Sequence, residues 1–235
     1  MDYKRYRKYF LARTFWFRYV GIGLVVLGAA MFFWGYMMYN YFILPTGIFF
    51  VILGGIFGWA PSAGRADDNE IISAISRKTE DAVEKAVELT GLRPKIVEAF
   101  PPLLVLGFEF DAANPYVRRG GDGHWRTSDC AYTTLIFTKQ GICAVTERFS
   151  LIDADKAQKE QIEELYFSEF NGAHFVDDDH LIAYGNDAAT ARFSRLTFTL
   201  DGSEVFSVPA ERTAAVEIAI GDILKLRQKT LASQK

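Results

Sequence analysis

The sequence is poor in the residues on which most enzymes and metal sites depend. Its 235 residues include three histidines (His124, His174 and His180) and two cysteines (Cys130 and Cys143). No nucleophile elbow, zinc-protease motif, phosphate-binding loop or kinase signature occurs along the chain. The sequence therefore predicts a protein that is not an enzyme, with no catalytic residues, no cofactor and no metal.

One acidic segment invites a metal interpretation nonetheless. Residues 176–180 read VDDDH, and His174 lies two residues earlier. Carboxylates and imidazole are common metal ligands, but a site needs several of them to converge from different parts of the fold. Acidic residues are also frequent in turns, so we interpret this segment as a turn between two strands.

Ionisable side chains are missing from a long run near the N-terminus. The 46 residues from 19 to 64 contain no Asp, Glu, Lys, Arg or His. One straight helix of that length would be about 69 Å long, whereas a bilayer crossing needs about 20 apolar residues. The run therefore predicts two transmembrane helices, at 19–38 and 41–59, joined at residues 39–41, where Asn40 tolerates left-handed backbone angles.

Two other interpretations of the apolar run are disfavoured. A pair of soluble core helices would keep a polar face for water, and neither helix has one. A cleaved signal peptide has a much shorter apolar region. The spans also carry no ionisable residue that could relay ions or protons, which argues against a transporter.

Positive charge gathers before the first span. Residues 1–64 hold six basic residues and one acidic residue. Basic segments stay on the cytoplasmic side, so both termini are expected in the cytoplasm, with the protein in the inner membrane of the cell. Aromatic residues such as Tyr6 and Phe10 suit the headgroup level, and the segment 1–18 is predicted to anchor the chain there. The predicted anchor residues are Lys4, Arg5, Arg7, Lys8, Trp16 and Arg18.

Small residues occur in both spans. Gly21 and Gly28 lie in the first, and Gly54 and Gly58 in the second. Glycines let helices approach closely in lipid. We expect these four to pack the two spans against each other, and a homo-oligomer formed through the same residues is the alternative.

The chain divides into four predicted regions: residues 1–18, the hairpin 19–60, a linker with an amphipathic helix at 61–100, and a cytosolic β domain at 101–235. The linker helix is expected to begin at Asp67 or Asp68 and to end at Gly91. Its apolar stripe is expected to pack on the β domain, with self-association as the alternative. Seven strands follow, at 103–111, 130–138, 141–149, 164–170, 180–185, 192–200 and 203–208, with hairpin turns at 139–140 and 201–202, and then a helix at about 210–231.

The cysteines lie on the first predicted hairpin. A turn centred on residues 139–140 places Cys130 opposite Phe149 and Cys143 opposite Ile136. The two thiols are then about 20 Å apart along the strands, beyond the reach of a disulfide. Both cysteines are expected to be free and buried.

The segments TLIFTKQGICAV, ELYFSEFNGAHF and RFSRLTFTLDGSEVFSVPAERTAAVEIAIGDILKLR carry a resemblance. In that order they resemble the pleckstrin-homology-like domain of bacterial YcxB-like membrane proteins, which often follows paired transmembrane helices. The resemblance covers roughly residues 100–230 and concerns element order, not a fixed motif. It implies an antiparallel β-sandwich or partly open barrel capped by a C-terminal helix, with a binding or scaffolding role and no catalytic residues.

A long loop is predicted at residues 112–129. It holds Arg118, Arg119, His124, Trp125 and Arg126, which could bind a phosphate-bearing or aromatic ligand through arginine forks and tryptophan stacking. A flexible surface loop without a ligand is the alternative.

Charge selects the expected kind of partner. Residues 65–235 hold 20 basic and 28 acidic residues, and this negative charge repels nucleic acids and anionic lipid surfaces. We expect a membrane-anchored protein that scaffolds or regulates a protein partner. The alternative is a membrane effector, gated by a small signal, whose hairpins oligomerise to perturb the bilayer.

Overall fold

The computed structural model describes residues 2–11, 15–59, 64–93, 100–110, 116–154, 159–184 and 187–232. Its helices are α1 (Tyr3–Phe10), α2 (Phe15–Met37), α3 (Ile43–Trp59), α4 (Asp68–Thr79), α5 (Ala82–Thr90) and α6 (Ala214–Ala232). Its strands are β1 (Leu103–Phe108), β2 (Val117–Arg119), β3 (Trp125–Thr127), β4 (Asp129–Phe137), β5 (Gly141–Ser150), β6 (Lys159–Tyr166), β7 (Gly172–Tyr184), β8 (Asp187–Leu200) and β9 (Ser203–Pro209). The fold is α+β, as predicted.

The chain forms two compact units. Residues 11–65 form one, which we call the helical unit. Residues 1–10 and 66–235 together form the other, which we call the sheet unit. The predicted first region, 1–18, is therefore divided between them.

The helical unit consists of α2 and α3. One helix, Phe17–Met37, is long and apolar enough to cross a membrane, and most of its surface is not buried by protein. The second apolar helix, Ile43–Trp59, is shorter. Within the described residues, length and composition therefore indicate one clear candidate span, where the sequence predicts two.

Glycines form the contact between α2 and α3. A Cβ atom built on Gly21 would lie 2.8 Å from the carbonyl oxygen of Gly54, and one on Gly28 would lie 2.7 Å from that of Gly47. The helices run antiparallel with their backbones in contact, and side chains would push them apart. A Cβ atom on Gly58 meets nothing within 4 Å, so this position does not itself require glycine.

The turn between the helices lies where the sequence places it. The Asn40 side chain accepts hydrogen bonds from the backbone N–H groups of Phe42 (3.0 Å) and Ile43 (3.3 Å), which begins α3. The left-handed residue is Tyr39, with a φ of 51°, so the expectation of that conformation at Asn40 is wrong. Asn40 serves as a helix cap instead.

Two antiparallel sheets make the sheet unit. The first has the strand order β1-β4-β5-β6, the second has β7-β8-β9, and β2 and β3 form a separate hairpin. The main core lies between the sheets and is closed by α6. Its largest residues are the rings of Phe167, Phe170 and Phe198, all buried.

Both faces of the first sheet are covered. Every residue of β4 is buried, because α1, α4 and α5 pack on the face opposite the main core. Ile71 and Ile75 of α4 meet Tyr132 and Phe149 there, and Val87 of α5 meets Ile136. The apolar stripe of the linker helix therefore packs on the sheets, as predicted.

The linker helix begins and ends as predicted but is not continuous. Asp67 and Glu70 form a reciprocal capping box at the start, and Gly91 ends the segment with a φ of 63°. A break at residues 80–81 separates α4 from α5. The rest of the predicted region 61–100 includes 61–63 and 94–99, which lie outside the described residues.

A buried carboxylate joins this helical layer to the sheet. Glu147 of β5 accepts hydrogen bonds from the hydroxyl of Tyr132 and the ammonium of Lys85, each at 2.6 Å. Lys78 lies 3.4 Å from its other oxygen. Burial raises the pKa of Glu147, but the hydrogen bonds from Lys85 and Tyr132 outweigh burial and bring that pKa below its ordinary value.

The first predicted hairpin has the predicted register. Cys130 pairs with Phe149 and Cys143 with Ile136, and both thiols are free and buried. Burial raises the pKa of both thiols, that of Cys143 to about 11, so neither cysteine resembles a reactive thiol.

Several predictions for the strand region are wrong in detail. Strand β6 covers 159–166, not 164–170, and Phe167–Phe170 forms the following turn. Strand β7 begins at 172, not at 180, so the VDDDH segment lies inside it and not in a turn. The predicted loop 112–129 contains the β2–β3 hairpin, while residues 111–115 lie outside the described part.

Candidate functional site

A cleft of about 430 Å³ opens in the sheet unit. It lies between α4, the end of β1, the β2–β3 hairpin, β8 and the segment that follows β9. Its walls combine aromatic rings with charged and polar side chains. The lining includes Phe108, Trp125, Phe193, Arg126, Arg192, Arg212, His124 and Glu211.

The floor of the cleft is backbone held by both sheets. The N–H of Ala210 donates to the carbonyl of Ser194 on β8 (3.0 Å), and the N–H of Glu211 donates to that of Leu106 on β1 (2.7 Å). A Cβ atom on Gly107 would lie 2.3 Å from the backbone of Pro209, so glycine permits this close approach. The floor is therefore rigid and sits where the two sheets meet.

Aromatic rings from three strands form the apolar wall. Phe108, Trp125 and Phe193 are each half-buried. Phe193 stacks on the buried ring of Phe110, with centroids 5.0 Å apart and planes 19° apart. The wall thus presents ring surface to the cleft on a packed support.

The β2–β3 hairpin supplies one side. Arg126 is buried and donates to the Asp122 carboxylate through both terminal nitrogens. That hydrogen-bonded guanidinium holds the pKa of Asp122 well below its usual range. Asp122 also accepts from the N–H of His124 at 3.0 Å, so the hairpin tip is fixed from within.

Two further arginines reach the opposite rim. Arg192 pairs with Asp179 at 3.1 Å, and both side chains are mostly exposed. Arg212 lies 3.8 Å from Asp177 and 5.0 Å from the centroid of the Phe175 ring. Pairs as exposed as these contribute little stability and exchange readily for other anions.

Glu211 is the one acidic residue among the described residues that line the cleft. Its side chain stays more than a third exposed to solvent. The protein atoms around it nevertheless desolvate the carboxylate and raise its pKa, and Arg126 and His124 oppose this effect. Arg126, Arg192 and Arg212 outnumber this one carboxylate in the described lining.

The predicted binding residues separate into two groups. His124, Trp125 and Arg126 line the cleft. Arg118 and Arg119 are not part of the lining. Arg118 donates to the Tyr9 carbonyl (2.6 Å) and stacks on that ring at 4.1 Å. Arg119 donates to the Gly123 carbonyl at 3.0 Å, and its guanidinium carbon lies 6.0 Å from the centroid of the Trp125 ring.

Sequence reasoning missed five cleft residues: Phe108, Phe193, Arg192, Glu211 and Arg212. All but Phe108 lie more than 60 positions from Trp125. Strand β8 lies beside β3, and the pairing of β8 with β9 brings the segment after β9 to the same place. No local pattern around them signals a site. The one available clue is charge: the acidic residues 177–179 of β7 are matched by Arg192 and Arg195 on the neighbouring strand β8.

The predicted membrane anchor is also divided. Tyr6, Tyr9 and Phe10 are buried in the sheet unit, so the expectation that Tyr6 and Phe10 lie at the bilayer surface is wrong. Their spacing of three and four residues puts them on one helical face. Of the predicted basic anchor residues, Lys4, Arg7 and Lys8 are exposed on α1 and Arg18 is exposed on α2. Arg5 pairs with Glu70 at 2.8 Å. The side chain of Trp16 lies outside the described part of the chain.

Helix α1 is held by polar contacts as well. The Tyr9 hydroxyl donates to Asp68 Oδ1 at 2.5 Å, and the N–H of Gly121 donates to Asp68 Oδ2 at 2.7 Å. Asp68 therefore joins α1, α4 and the β2–β3 hairpin. Burial raises the pKa of Tyr9, and the bond to Asp68 raises it further.

The acidic segment of β7 is engaged by arginines. Asp178 pairs with Arg195 at 2.8 Å and Asp179 with Arg192 at 3.1 Å, and Asp177 accepts from the Ser194 hydroxyl at 2.6 Å. Within the described part of the chain, no group of three or more His, Cys, Asp or Glu side chains is placed to hold a metal ion.

No family model, no curated protein and no solved structure matches the chain.

Proposed function

We propose that the protein is an integral membrane protein whose α2 and α3 cross the inner membrane as a hairpin, with both termini in the cytoplasm. The observation that carries this proposal is the composition of the sheet unit. Residues 1–10 precede the apolar helices and residues 66–235 follow them, yet both belong to one compact unit. A chain that leaves and rejoins the same unit crosses a bilayer twice or not at all.

The ends of the helical unit support the same topology. The Arg65 guanidinium donates to the carbonyl of Leu11 at 2.9 Å, so the chain enters and leaves this unit at one place. Helix α3 has 17 residues and is therefore about 26 Å long. This length is at the lower limit for a helix that crosses a bilayer.

The outward surface of the helices fits lipid. Tyr19, Trp34, Phe49 and Ile52 are each more than half exposed. A water-soluble unit would carry polar groups at these positions, and an apolar surface of this extent indicates a membrane or another protein. The basic residues of the first 18 positions favour the cytoplasm for both ends.

The order of strands supports a pleckstrin-homology-like sheet unit. A four-stranded antiparallel sheet, a three-stranded antiparallel sheet and a closing C-terminal helix follow one another. The β2–β3 hairpin is an insertion between β1 and β4, and α1, α4 and α5 form an added layer over the first sheet.

The function that these features favour is a scaffold that presents the sheet unit to a protein partner at the membrane. The excess of acidic residues after position 64 disfavours nucleic acids and anionic lipids. Surface carboxylates and the exposed apolar side chains of Ile162 and Tyr166 on β6 suit a basic protein surface.

Cysteine labelling tests the topology. The native cysteines are buried, so the unmodified chain serves as the unlabelled control. We expect Asn40→Cys to react with a membrane-impermeant maleimide on intact cells, and Ser168→Cys, in an exposed turn of the sheet unit, to react only after the cells are permeabilised. Labelling of Ser168→Cys on intact cells would contradict the proposal.

A pull-down tests the scaffold role. The full chain, extracted from membranes in mild detergent, is expected to retain a specific protein that binds less when salt screens the acidic surface. Recovery of no membrane-dependent partner would count strongly against this function.

The cleft favours a second candidate, a membrane effector gated by a small signal. The hairpin that lines the cleft is also joined to α1 and α4 through Asp68, so a change in the hairpin on binding would reach α1. Reconstitution into vesicles loaded with a self-quenching dye separates the two candidates: an effector releases dye, whereas a scaffold leaves the vesicles sealed.

A further inference from the structure

We propose that the cleft binds a small aromatic anion, with its ring against Trp125 and Phe193 and its anionic group at Arg192 and Arg212. This inference concerns the sheet unit alone. It goes beyond the scaffold function and holds whether or not α2 and α3 span a membrane.

The dimensions of the cleft fit such a molecule. A volume of about 430 Å³ lies within the range of small-molecule sites, which is about 300–1,000 Å³. The space accommodates one or two fused rings with a substituent. A peptide or nucleic-acid chain requires a longer groove.

The apolar wall is suited to a flat body. Phe108, Trp125 and Phe193 come from three different strands and are each half-buried, so their positions are fixed while part of each ring faces the cleft. Phe193 is supported from behind by its stack on Phe110. Offset or edge contacts with rings at these positions favour an aromatic ligand over an aliphatic one.

The cationic rim is suited to an anion. Arg192 and Arg212 side chains are 73% and 47% exposed, and their partners, Asp179 for the first and Asp177 and Glu217 for the second, are also solvated. Because solvated pairs are weak, a ligand carboxylate or phosphate can accept from these guanidinium forks at little cost. Arg126, in contrast, is committed to Asp122 inside the hairpin, so we assign it a positioning role.

The site is largely preorganised. Its floor is backbone bonded to both sheets through Ala210 and Glu211, and its hairpin side is held by Asp122 and Asp68. Little ordering is needed on binding, and preorganisation raises affinity by reducing that entropic cost.

Calorimetry on the full chain in detergent tests the proposal with three probes. These are 1-naphthyl phosphate, inorganic phosphate, and 1-naphthalenemethanol, which has the ring without the charge. We expect 1-naphthyl phosphate to bind about tenfold more tightly than either of the other two, because only it uses both walls.

Variants locate the site. The double variant Arg192→Ala/Arg212→Ala is expected to bind 1-naphthyl phosphate about tenfold more weakly than the unmodified chain and to bind 1-naphthalenemethanol with unchanged affinity. Arg77→Ala, at an exposed arginine of α4 outside the cleft, is the matched control and is expected to have no effect. Phe193→Leu, which keeps an apolar side chain but removes the ring, should weaken the binding of both aromatic probes.

The opposite results would overturn the proposal. They are equal affinity for 1-naphthyl phosphate in the double variant and the unmodified chain, equal affinity for the charged and uncharged aromatic probes, or no binding at about 1 mM. If the probes only partitioned into detergent, all variants would give the same signal, and the double variant would match the unmodified chain.

Discussion

The two units place large and small residues in opposite positions. In the helical unit, glycines lie at the helix contact and rings such as Trp34 and Phe33 face outward, each 63% exposed. In the sheet unit, Phe170 and Phe198 are fully buried and charged side chains cover the outside. The same preference of apolar groups for apolar surroundings produces both patterns if the helical unit is surrounded by lipid.

The two units should be sensitive to opposite kinds of substitution. Contacts between α2 and α3 are made by backbone atoms, so added side-chain volume should destabilise them. Contacts in the main core are made by side chains, so lost side-chain volume should destabilise them.

Removing a buried ring from the sheet unit should have the largest effect. Phe198 lies with its centroid 5.3 Å from that of Phe170 and 5.8 Å from that of Phe206. Phe198→Ala leaves a cavity and should lower the free energy of unfolding by about 3–5 kcal/mol, measured by denaturant titration of the full chain in detergent. The same truncation at exposed Phe33 should cost far less, and equal losses at the two positions would remove the contrast.

Adding a side chain to the helix contact should come next. A Cβ atom on Gly47 would lie 2.5 Å from the backbone nitrogen of Phe32. Gly47→Leu should therefore separate α2 from α3 at a cost of about 2–3 kcal/mol. Heating the detergent-solubilised chain and following its loss from the monodisperse peak in size-exclusion chromatography measures this effect.

Gly55 provides the matched control for that substitution. A Cβ atom there meets nothing within 4 Å, so Gly55→Leu should behave like the unmodified chain. A Gly55→Leu variant as unstable as Gly47→Leu would show that helix propensity or oligomer contacts, and not the α2–α3 contact, determine the outcome.

Much of this arrangement could be predicted from sequence because it depends on local patterns. The uncharged run identified α2 and α3, although only α2 meets the length of a clear span. The turn at residues 139–140 fixed the register of β4 and β5. At Asp201 and Gly202, both with positive φ, the residue types themselves favour the tight hairpin turn that forms.

The position of α1, the acidic run of β7 and the cleft could not be predicted, because they depend on tertiary contacts between residues that are far apart in the sequence. Tyr6, Tyr9 and Phe10 fit a bilayer surface as well as a protein core, because both offer apolar surroundings beside water. The acidic run of β7 has turn-like composition, but Arg192 and Arg195 on β8 balance it within a strand pair. The cleft requires residues from five separate elements, and Arg192 and Arg212 became apparent only from their positions in the fold.

A pH-dependent effect should follow from the buried carboxylate. Glu147→Gln keeps an acceptor for Tyr132 but removes the charge paired with Lys85 and Lys78. The variant should lose about 2 kcal/mol at pH 7. Glu84→Gln is the control, because Glu84 is an exposed glutamate of α5, the helix that carries Lys85. The stability of this variant should match that of the unmodified chain.

The sign of the pH dependence is determined by the direction of the shift. The folded state lowers the pKa of Glu147, so the stabilisation is complete above the ordinary glutamate pKa of about 4.3. It is lost as the pH falls through the lower folded value. The difference between Glu147→Gln and the unmodified chain should therefore shrink between pH 7 and acid, and a difference that grew on acidification would contradict the assignment.

The smallest expected effect concerns the attachment of α1, and it separates a docked helix from a membrane-surface helix. Tyr9→Phe keeps the buried ring and removes the hydrogen bond to Asp68, while Asp68 still accepts from Gly121. We expect a loss of about 1 kcal/mol, seen as faster amide hydrogen exchange in residues 3–10 with the rest of the sheet unit unchanged. Tyr3→Phe at the more exposed start of the helix is the matched control. If α1 instead lay in the headgroup region, its exchange would depend on the lipid or detergent and not on Tyr9, because the apolar face that Tyr6, Tyr9 and Phe10 share would be held by the bilayer.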